Sequence, residues 1–291
     1  MRIAHFSDVH CTINPLSRKP HRVLGKRVMG SLNYFFGGRR THFRNSNERL
    51  QELLADVDSQ SPDHVICTGD LTQMSFPEEF ETAANLFGHR LDHPSRFTVI
   101  PGNHDRYTQK TEQERHFEKW FGPLCEHGNF PFMKSLSESV TLIGLDPCRA
   151  TSMADSSGKI GEAQLAKLHE LLQQLKRAEQ FVILALHYAP FRRNGEPDRP
   201  NHGLRDLDAL MQIVESQDSV VRMVIHGHIH GSYQLERNGR TYFCSGSATD
   251  LYGACGYNVY DIDSTQRLVQ VTRRVWSREE HKYVPEKSSA P

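Results

Sequence analysis

Apolar positions in the first half of the chain fall into two patterns, short unbroken runs and helical spacings, in alternation. Residues 3–6 form a compact apolar run that ends at Ser7, Asp8, Val9 and His10. Between residues 47 and 59, Leu50, Leu53, Leu54 and Val57 recur at the interval of an amphipathic helix, and a second apolar run at 65–67 ends at Thr68, Gly69 and Asp70. A helix at 78–91 and a strand at 97–100 repeat the rhythm, and that strand ends at Pro101, Gly102, Asn103, His104 and Asp105. The alternation predicts βαβ units, whose parallel strands bring three polar exits to one sheet edge.

The second half continues with a strand at 140–145, a helix at 162–178 and a strand at 181–186 that meets His187. A helix at 204–214 precedes a strand at 220–225, which delivers His226, Gly227, His228, Ile229 and His230. Residues 242–276 read as strands separated by Gly246, Gly253 and Gly256. Nothing in the pattern divides residues 1–284, so one domain is expected, with an insertion at 11–45 and a frayed polar tail at 285–291.

Composition narrows the class without naming a chemistry. Lys plus Arg and Asp plus Glu are each 35, so whole-chain charge gives no argument for a polyanion partner. No apolar run approaches the roughly 20 residues of a membrane-spanning helix. The opening lacks the basic and then apolar order of a secretory signal, so a cytoplasmic location is expected. Six cysteines without C-x-x-C spacing suggest reduced, buried thiols. Seventeen histidines beside two tryptophans raise the question of a metal.

Five strand ends present oxygen or imidazole donors: Asp8 with His10, Asp70, Asn103 with His104, His187, and His228 with His230. That many converging groups suffice for two divalent cations, and a donor set without thiolate favours Mn, Fe, Co or Zn, with Mn the first expectation. Asp70, alone between two clusters, is the natural bridging carboxylate. In Asp8-x-His10 and His228-x-His230 an extended backbone would put both side chains on the same side. Gly69, Gly102 and Gly227 precede ligands, where positive φ or close backbone approach is needed.

In this order the blocks D-x-H, G-D, G-N-H-D, H and G-H-x-H resemble the signature of the calcineurin-like metallophosphoesterase superfamily, from Asp8 to His230. The resemblance implies an α+β fold in four layers, α/β/β/α, with a central β-sandwich flanked by helices. It also implies a dinuclear site, with Asp8, His10, Asp70 and His230 on one metal and Asp70, Asn103, His187 and His228 on the other. His104 would be the phosphate-facing catalytic histidine, protonated to serve the leaving oxygen, and Asp105 the carboxylate that orients it.

Two relatives are set aside by their motifs. Gly69-Asp70-Leu71-Thr72-Gln73 lacks the tyrosine of purple acid phosphatases and the Gly-Asp-x-Val-Asp-Arg-Gly pattern of protein Ser/Thr phosphatases. The remaining group holds the bacterial cyclic-nucleotide phosphodiesterases and the UDP-2,3-diacylglucosamine pyrophosphatases of lipid A synthesis.

The insertion guides the choice between them. Residues 11–45 carry eight basic residues and no acidic one, which leaves 27 basic against 35 acidic elsewhere. Within it Leu24, Val28, Leu32 and Phe35 form an apolar stripe at helical spacing, expected to bind an acyl chain or lie on an anionic membrane surface. Arg192, Arg193, His202 and Arg205 add candidate substrate contacts on another loop. The reading placed first is hydrolysis of the pyrophosphate bond of UDP-2,3-diacylglucosamine, giving lipid X and UMP, by an enzyme peripheral on the inner membrane. Cleavage of a cyclic nucleotide or another phosphodiester is the alternative, and a nuclease or non-catalytic scaffold stands behind both.

Overall fold

Short β-rich runs and longer amphipathic segments sort into the two element types as their periods dictate. In the computed structural model, which describes residues 1–13, 25–176, 180–253, 255–263, 265 and 267–287, the first half holds β1 (Arg2–Phe6), α1 (Lys26–Phe36), α2 (Arg39–His42), α3 (Ser46–Ser59), β2 (His64–Cys67), α4 (Pro77–Phe87) and β3 (Phe97–Val99). There follow α5 (Gln109–Gln113), α6 (His116–Phe121), β4 (Phe132–Ser135), β5 (Val140–Gly144), α7 (Glu162–Lys176), β6 (Phe181–Ala185), α8 (Leu207–Val214) and β7 (Val221–His226). The chain closes with β8 (Ser232–Arg237), β9 (Arg240–Ser245), β10 (Gly256–Ile262), β11 (Leu268–Ser277) and β12 (Lys282–Pro285).

Two six-stranded sheets result, ordered β12-β11-β10-β1-β2-β3 and β4-β5-β6-β7-β9-β8. β1, β2 and β3 are parallel neighbours, as the βαβ rhythm requires. β5, β6, β7 and β9 are parallel in the other sheet. Strand β6 shows how the layers form. Phe181, Ile183 and Ala185 enter one core with Leu50, Leu53 and Leu54 of α3 and Phe80 and Phe87 of α4, whereas Val182 and Leu184 enter a second core with Leu168 and Leu172 of α7 and Leu210 of α8. Period-two alternation in a strand covered on both faces therefore yields helix, sheet, sheet, helix, the four layers expected.

Two expectations need correction. The tail does not begin at 285, because Pro285 closes β12 opposite Arg274 and the Glu286 amide donates to the Arg273 carbonyl at 2.8 Å. The apolar stripe of the insertion faces solvent rather than a core or an acyl pocket. Val28 is 42%, Leu32 46%, Phe35 44% and Phe36 85% exposed, and Leu24 lies outside the described residues. Helix α1 instead packs through Arg27, whose guanidinium donates to the carbonyls of Met74 (3.0 Å) and Ser75 (2.7 Å), and through Gly30, where a Cβ would stand 2.6 Å from the Tyr107 hydroxyl.

Candidate metal centre and cleft

The exits of β1, β2 and β3 from one sheet meet those of β6 and β7 from the other where the two sheets adjoin. Backbone bonds lock the exits together. The Asp8 amide donates to the Gly69 carbonyl at 2.9 Å, His10 to Asp70 at 2.8 Å, and Gly227 to His187 at 3.0 Å. The His228 amide donates to the Asp8 carboxylate at 2.9 Å, joining the two sheets directly. A Cβ on Gly227 would fall 1.9 Å from Ser7 Oγ, and one on Gly102 2.2 Å from the Asp70 amide nitrogen, so both glycines are required by close approach.

The i, i+2 pairs reach the centre by a different route from the extended backbone expected. Asp8 (φ 54°), His10 (φ 49°), His228 (φ 71°) and His230 (φ 59°) are all left-handed, as is Asp70 (φ 57°). Each exit coils as it leaves its strand, and that coil aims the side chains inward.

Two donor groups share Asp70. Donor atoms of Asp8, His10, Asp70 and His230 lie within 4.8 Å of one another. On the other side Asn103 Oδ1 stands 3.1 Å from His187 Nε2 and 3.0 Å from His228 Nδ1. Asp70 Oδ2 lies 3.6 Å from His10 Nε2 and 3.5 Å from His187 Nε2, between the two groups.

The outer ring nitrogens are held by acceptors. His10 Nδ1 faces the Thr72 carbonyl at 3.0 Å, His187 Nδ1 the Thr68 carbonyl at 2.8 Å, and His228 Nε2 the His202 carbonyl at 2.9 Å. Each bond fixes the tautomer that turns the other nitrogen's lone pair into the centre. His10 Nε2 and His230 Nε2 then face each other at 3.1 Å, an arrangement stable only with a proton or a cation between them.

The carboxylates of the centre favour positive charge, which protons or cations can supply. Burial disfavours charge on His187 and His230, yet Asp70 beside the first and the carboxylates of Asp250 and Asp8 beside the second raise both to about 9. Burial and the Arg39 guanidinium hold His10 well below the ordinary imidazole value. The fully buried Asp70 stays well below the carboxylate range, because the charge and hydrogen bond of His187 outweigh its burial.

Above this floor lies a cleft of about 490 Å³. Lys26, Asn33 and Arg39 from the insertion line it, together with Arg192 and His202 of another loop and Asp70, Asn103, His104, His228 and His230 of the strand exits. Of the substrate residues expected from sequence, Arg192 and His202 reach the cleft, both tied to the Asp198 carboxylate at 2.6 Å. Arg193 is spent on the Ser232 carbonyl, and Arg205 on Ser157 (2.8 Å) and Asp155 (2.7 Å), so neither lines it. Val28, Leu32 and Phe35 stand outside as well.

His104 and Asp105 also differ from expectation. His104 Nδ1 lies 2.6 Å from the Gln73 carbonyl and its Nε2 3.1 Å from Arg39 Nη1; burial and that guanidinium push the ring down to about 3, so it is neutral rather than protonated. Asp105 does not orient His104. Its carboxylate accepts the amides of Gly102 (2.9 Å), Leu71 (3.2 Å) and Thr72 (3.0 Å). It fastens the Asn103 turn to the Asp70 turn.

Sequence reasoning missed Arg39 and Asp250. Arg39 was one of eight basic residues in the insertion, with no motif to single it out. Asp250 accepts from His42 Nδ1 at 2.8 Å and lies 3.9 Å from His230 Nδ1, behind the last ligand candidate. Its loop also braces the first exit, since Ser247 Oγ donates to the Asp8 carbonyl at 2.7 Å.

Comparison with known proteins matches residues 1–232 to the calcineurin-like phosphoesterase model. A protein of Colwellia psychrerythraea named "Probable cyclic nucleotide phosphodiesterase" is 26% identical over 196 residues, 67% of this chain and 66% of that one. One of the same description from Pseudoalteromonas is 27% identical over 66% of this chain and 65% of its own length. These alignments span slightly less than two thirds of either relative. A glycerophosphodiester phosphodiesterase of Enterobacter lignolyticus is 34% identical over 29% of this chain and 31% of its own. Among solved structures, a dimetal phosphatase from Danio rerio superposes with a TM-score of 0.64 over 99% of both chains at 13% identity, a likeness of fold.

Proposed function

The chain belongs to the calcineurin-like phosphoesterase family, and on that premise we propose that it is a metal-dependent phosphodiesterase acting on small phosphodiesters, cyclic nucleotides first among them. The observation that carries the reading is Asp70 Oδ2 standing 3.6 Å from His10 Nε2 and 3.5 Å from His187 Nε2, between two sets of inward lone pairs. Asp8, His10, Asp70 and His230 would hold one divalent cation, and Asp70, Asn103, His187 and His228 a second, with Mn the metal to try first. Such a pair supplies Lewis-acid stabilisation of phosphoryl charge and acidifies water toward neutral pH.

The chain's own residues do the rest. The carbonyls of Thr72, Thr68 and His202 keep three imidazoles in the tautomers that present lone pairs inward. Neutral His104 presents Nε2 to the cleft while its Nδ1–H is anchored on Gln73. Arg192 and His202, fixed by Asp198, line the same cleft.

The relatives' names support the phosphodiester alternative over the UDP-2,3-diacylglucosamine pyrophosphate placed first from sequence. So does the position of Val28, Leu32 and Phe35, outside the cleft that an acyl chain would enter. The deciding experiment incubates the purified chain and its Asp70→Ala variant in Mn²⁺ with cyclic AMP, a glycerophosphodiester and UDP-2,3-diacylglucosamine, and reads products by mass spectrometry. Diester cleavage that disappears in the variant is expected. Faster turnover of UDP-2,3-diacylglucosamine reinstates the pyrophosphatase, and no turnover of any substrate overturns the enzyme reading.

A second reading concerns location. The exposed stripe of α1 is flanked by exposed Arg40 and Arg44, in a segment without acidic residues, and this matches an anionic bilayer surface in both greasiness and charge. No helix among the described residues is long and apolar enough to cross a membrane, so this contact would be peripheral.

A further inference from the structure

We propose that Arg39, carried to the cleft by the basic insertion, is the cation that grips a non-bridging oxygen of the substrate's phosphoryl group. The inference rests on the phosphodiesterase reading and adds to it a residue that belongs to none of the motif blocks.

The chain turns sharply to place this side chain. Helix α1 ends at Gly37, Gly38 adopts φ 84°, and Arg39 opens α2. Its Nη1 lies 3.1 Å from His104 Nε2. Its Nη2 lies 3.3 Å from Nδ1 and 3.2 Å from Nε2 of His10. Near-equal distances to both nitrogens put the guanidinium over the imidazole face, so the in-plane Nε2 lone pair of His10 still points into the centre. The Phe43 ring, 5.5 Å away, backs the other contact.

Arg39 lacks the close carboxylate partner that two other enclosed arginines have. Arg106 has Glu118 and Asp146, and Arg274 has Asp56, each within 2.8 Å. Among the described residues no carboxylate forms an ion pair with Arg39, and its buried Nε has no hydrogen-bond partner. A guanidinium carries five donors in a rigid fork, and removing it from water without an anion is costly. Here the fork is held over the floor of a cleft beside Asn103 and Asp70 with donors unspent. Asp70, Asp8 and Asp250 act on Arg39 from longer range, and a phosphoryl group offers an anion in direct contact with the geometry that such a fork matches.

The test uses full-length protein with Arg39→Gln, Arg39→Ala and Arg39→Lys. For bis-p-nitrophenyl phosphate hydrolysis in Mn²⁺, Arg39→Gln should lower kcat/KM by about 10² with unchanged metal content, and inorganic phosphate should inhibit it at least about tenfold more weakly. Arg39→Lys should recover part of the loss, and free guanidinium ion should recover part of the activity of Arg39→Ala. Activity of Arg39→Gln within threefold of wild type, or loss of metal in step with activity, overturns the assignment. If the wild type cleaves no diester, the phosphodiesterase reading fails, while calorimetric titration of inorganic phosphate into wild type and Arg39→Gln still decides whether Arg39 binds the anion.

Discussion

Asp105 grips Thr72 twice, accepting its amide and its hydroxyl at 3.0 Å each. Together with the Gly102 and Leu71 amides these bonds make the carboxylate the clasp between two neighbouring strand exits. Asp105→Asn keeps the shape but replaces one acceptor oxygen with a donor, leaving buried N–H groups unpaired. The expected loss is about 2–4 kcal/mol of unfolding free energy, read by urea denaturation of metal-free protein, together with weaker Mn²⁺ retention. A variant with unchanged midpoint and metal content would show that the clasp is dispensable.

His104 lines the cleft and packs its ring edge-on against His10, but its ring nitrogens bond Gln73 and Arg39 rather than either donor group. His104→Ala should retain its metal and lose about 10²-fold in kcat, whereas His228→Ala should lose metal as well. Elemental analysis alongside steady-state kinetics separates the two, and equal metal loss in both would make His104 a ligand.

His64 lies at the far end of β2, with Nε2 2.9 Å from Thr98 Oγ1 and Nδ1 3.1 Å from the Ser95 carbonyl. Burial, helped by the Lys134 charge, pushes it down from 6.5 to about 3. Between those values the unfolded chain binds a proton that the folded chain refuses. The stabilisation from neutral His64 is therefore complete above pH 6.5 and drains away as pH falls toward 3, by at most about 1.4 kcal/mol per pH unit. His64→Gln should show a smaller difference in urea midpoint between pH 5 and pH 7.5 than wild type. An identical difference in both proteins removes His64 from the acid response.

The outward stripe of α1 gives a prediction on binding. Leu32→Ser with Phe35→Ser should weaken cosedimentation with anionic phosphatidylglycerol vesicles about tenfold or more, as two half-exposed apolar side chains lose their contact. Hydrolysis of bis-p-nitrophenyl phosphate should be unchanged, because neither residue lines the cleft. Equal sedimentation of wild type and variant would leave the stripe without a membrane role.

The strand exits were legible because short apolar runs followed at once by Asp, His or Asn leave few alternatives for local structure, and five such runs fell in order. Their backbone form was not, since Asp8-x-His10 reads identically whether extended or coiled. The face that α1 buries was also hidden. Periodicity shows that Val28, Leu32 and Phe35 share a side, but Gly30 and Arg27 decide which side meets the body, through contacts with Tyr107 and Met74 that lie far along the chain. Arg39 and Asp250 were invisible for the same reason: each acts on a residue remote in sequence. Asp105 was read as the partner of His104, its neighbour in sequence, whereas in space its carboxylate meets the amides of Gly102, Leu71 and Thr72.

The left-handed backbone at Asp8, His10, Asp70, His228 and His230 restricts which residues the site can tolerate before any chemistry is considered. Apart from glycine, short polar side chains such as Asp, Asn and His enter that region most readily, whereas β-branched residues are strongly disfavoured. The positions that demand donors therefore also demand the residue types that supply them. A Val or Ile at any of the five would remove a donor and distort its turn together. Replacements that spare the backbone are mostly other oxygen or imidazole donors, so substitution at these turns tends to keep donor atoms at the floor of the cleft.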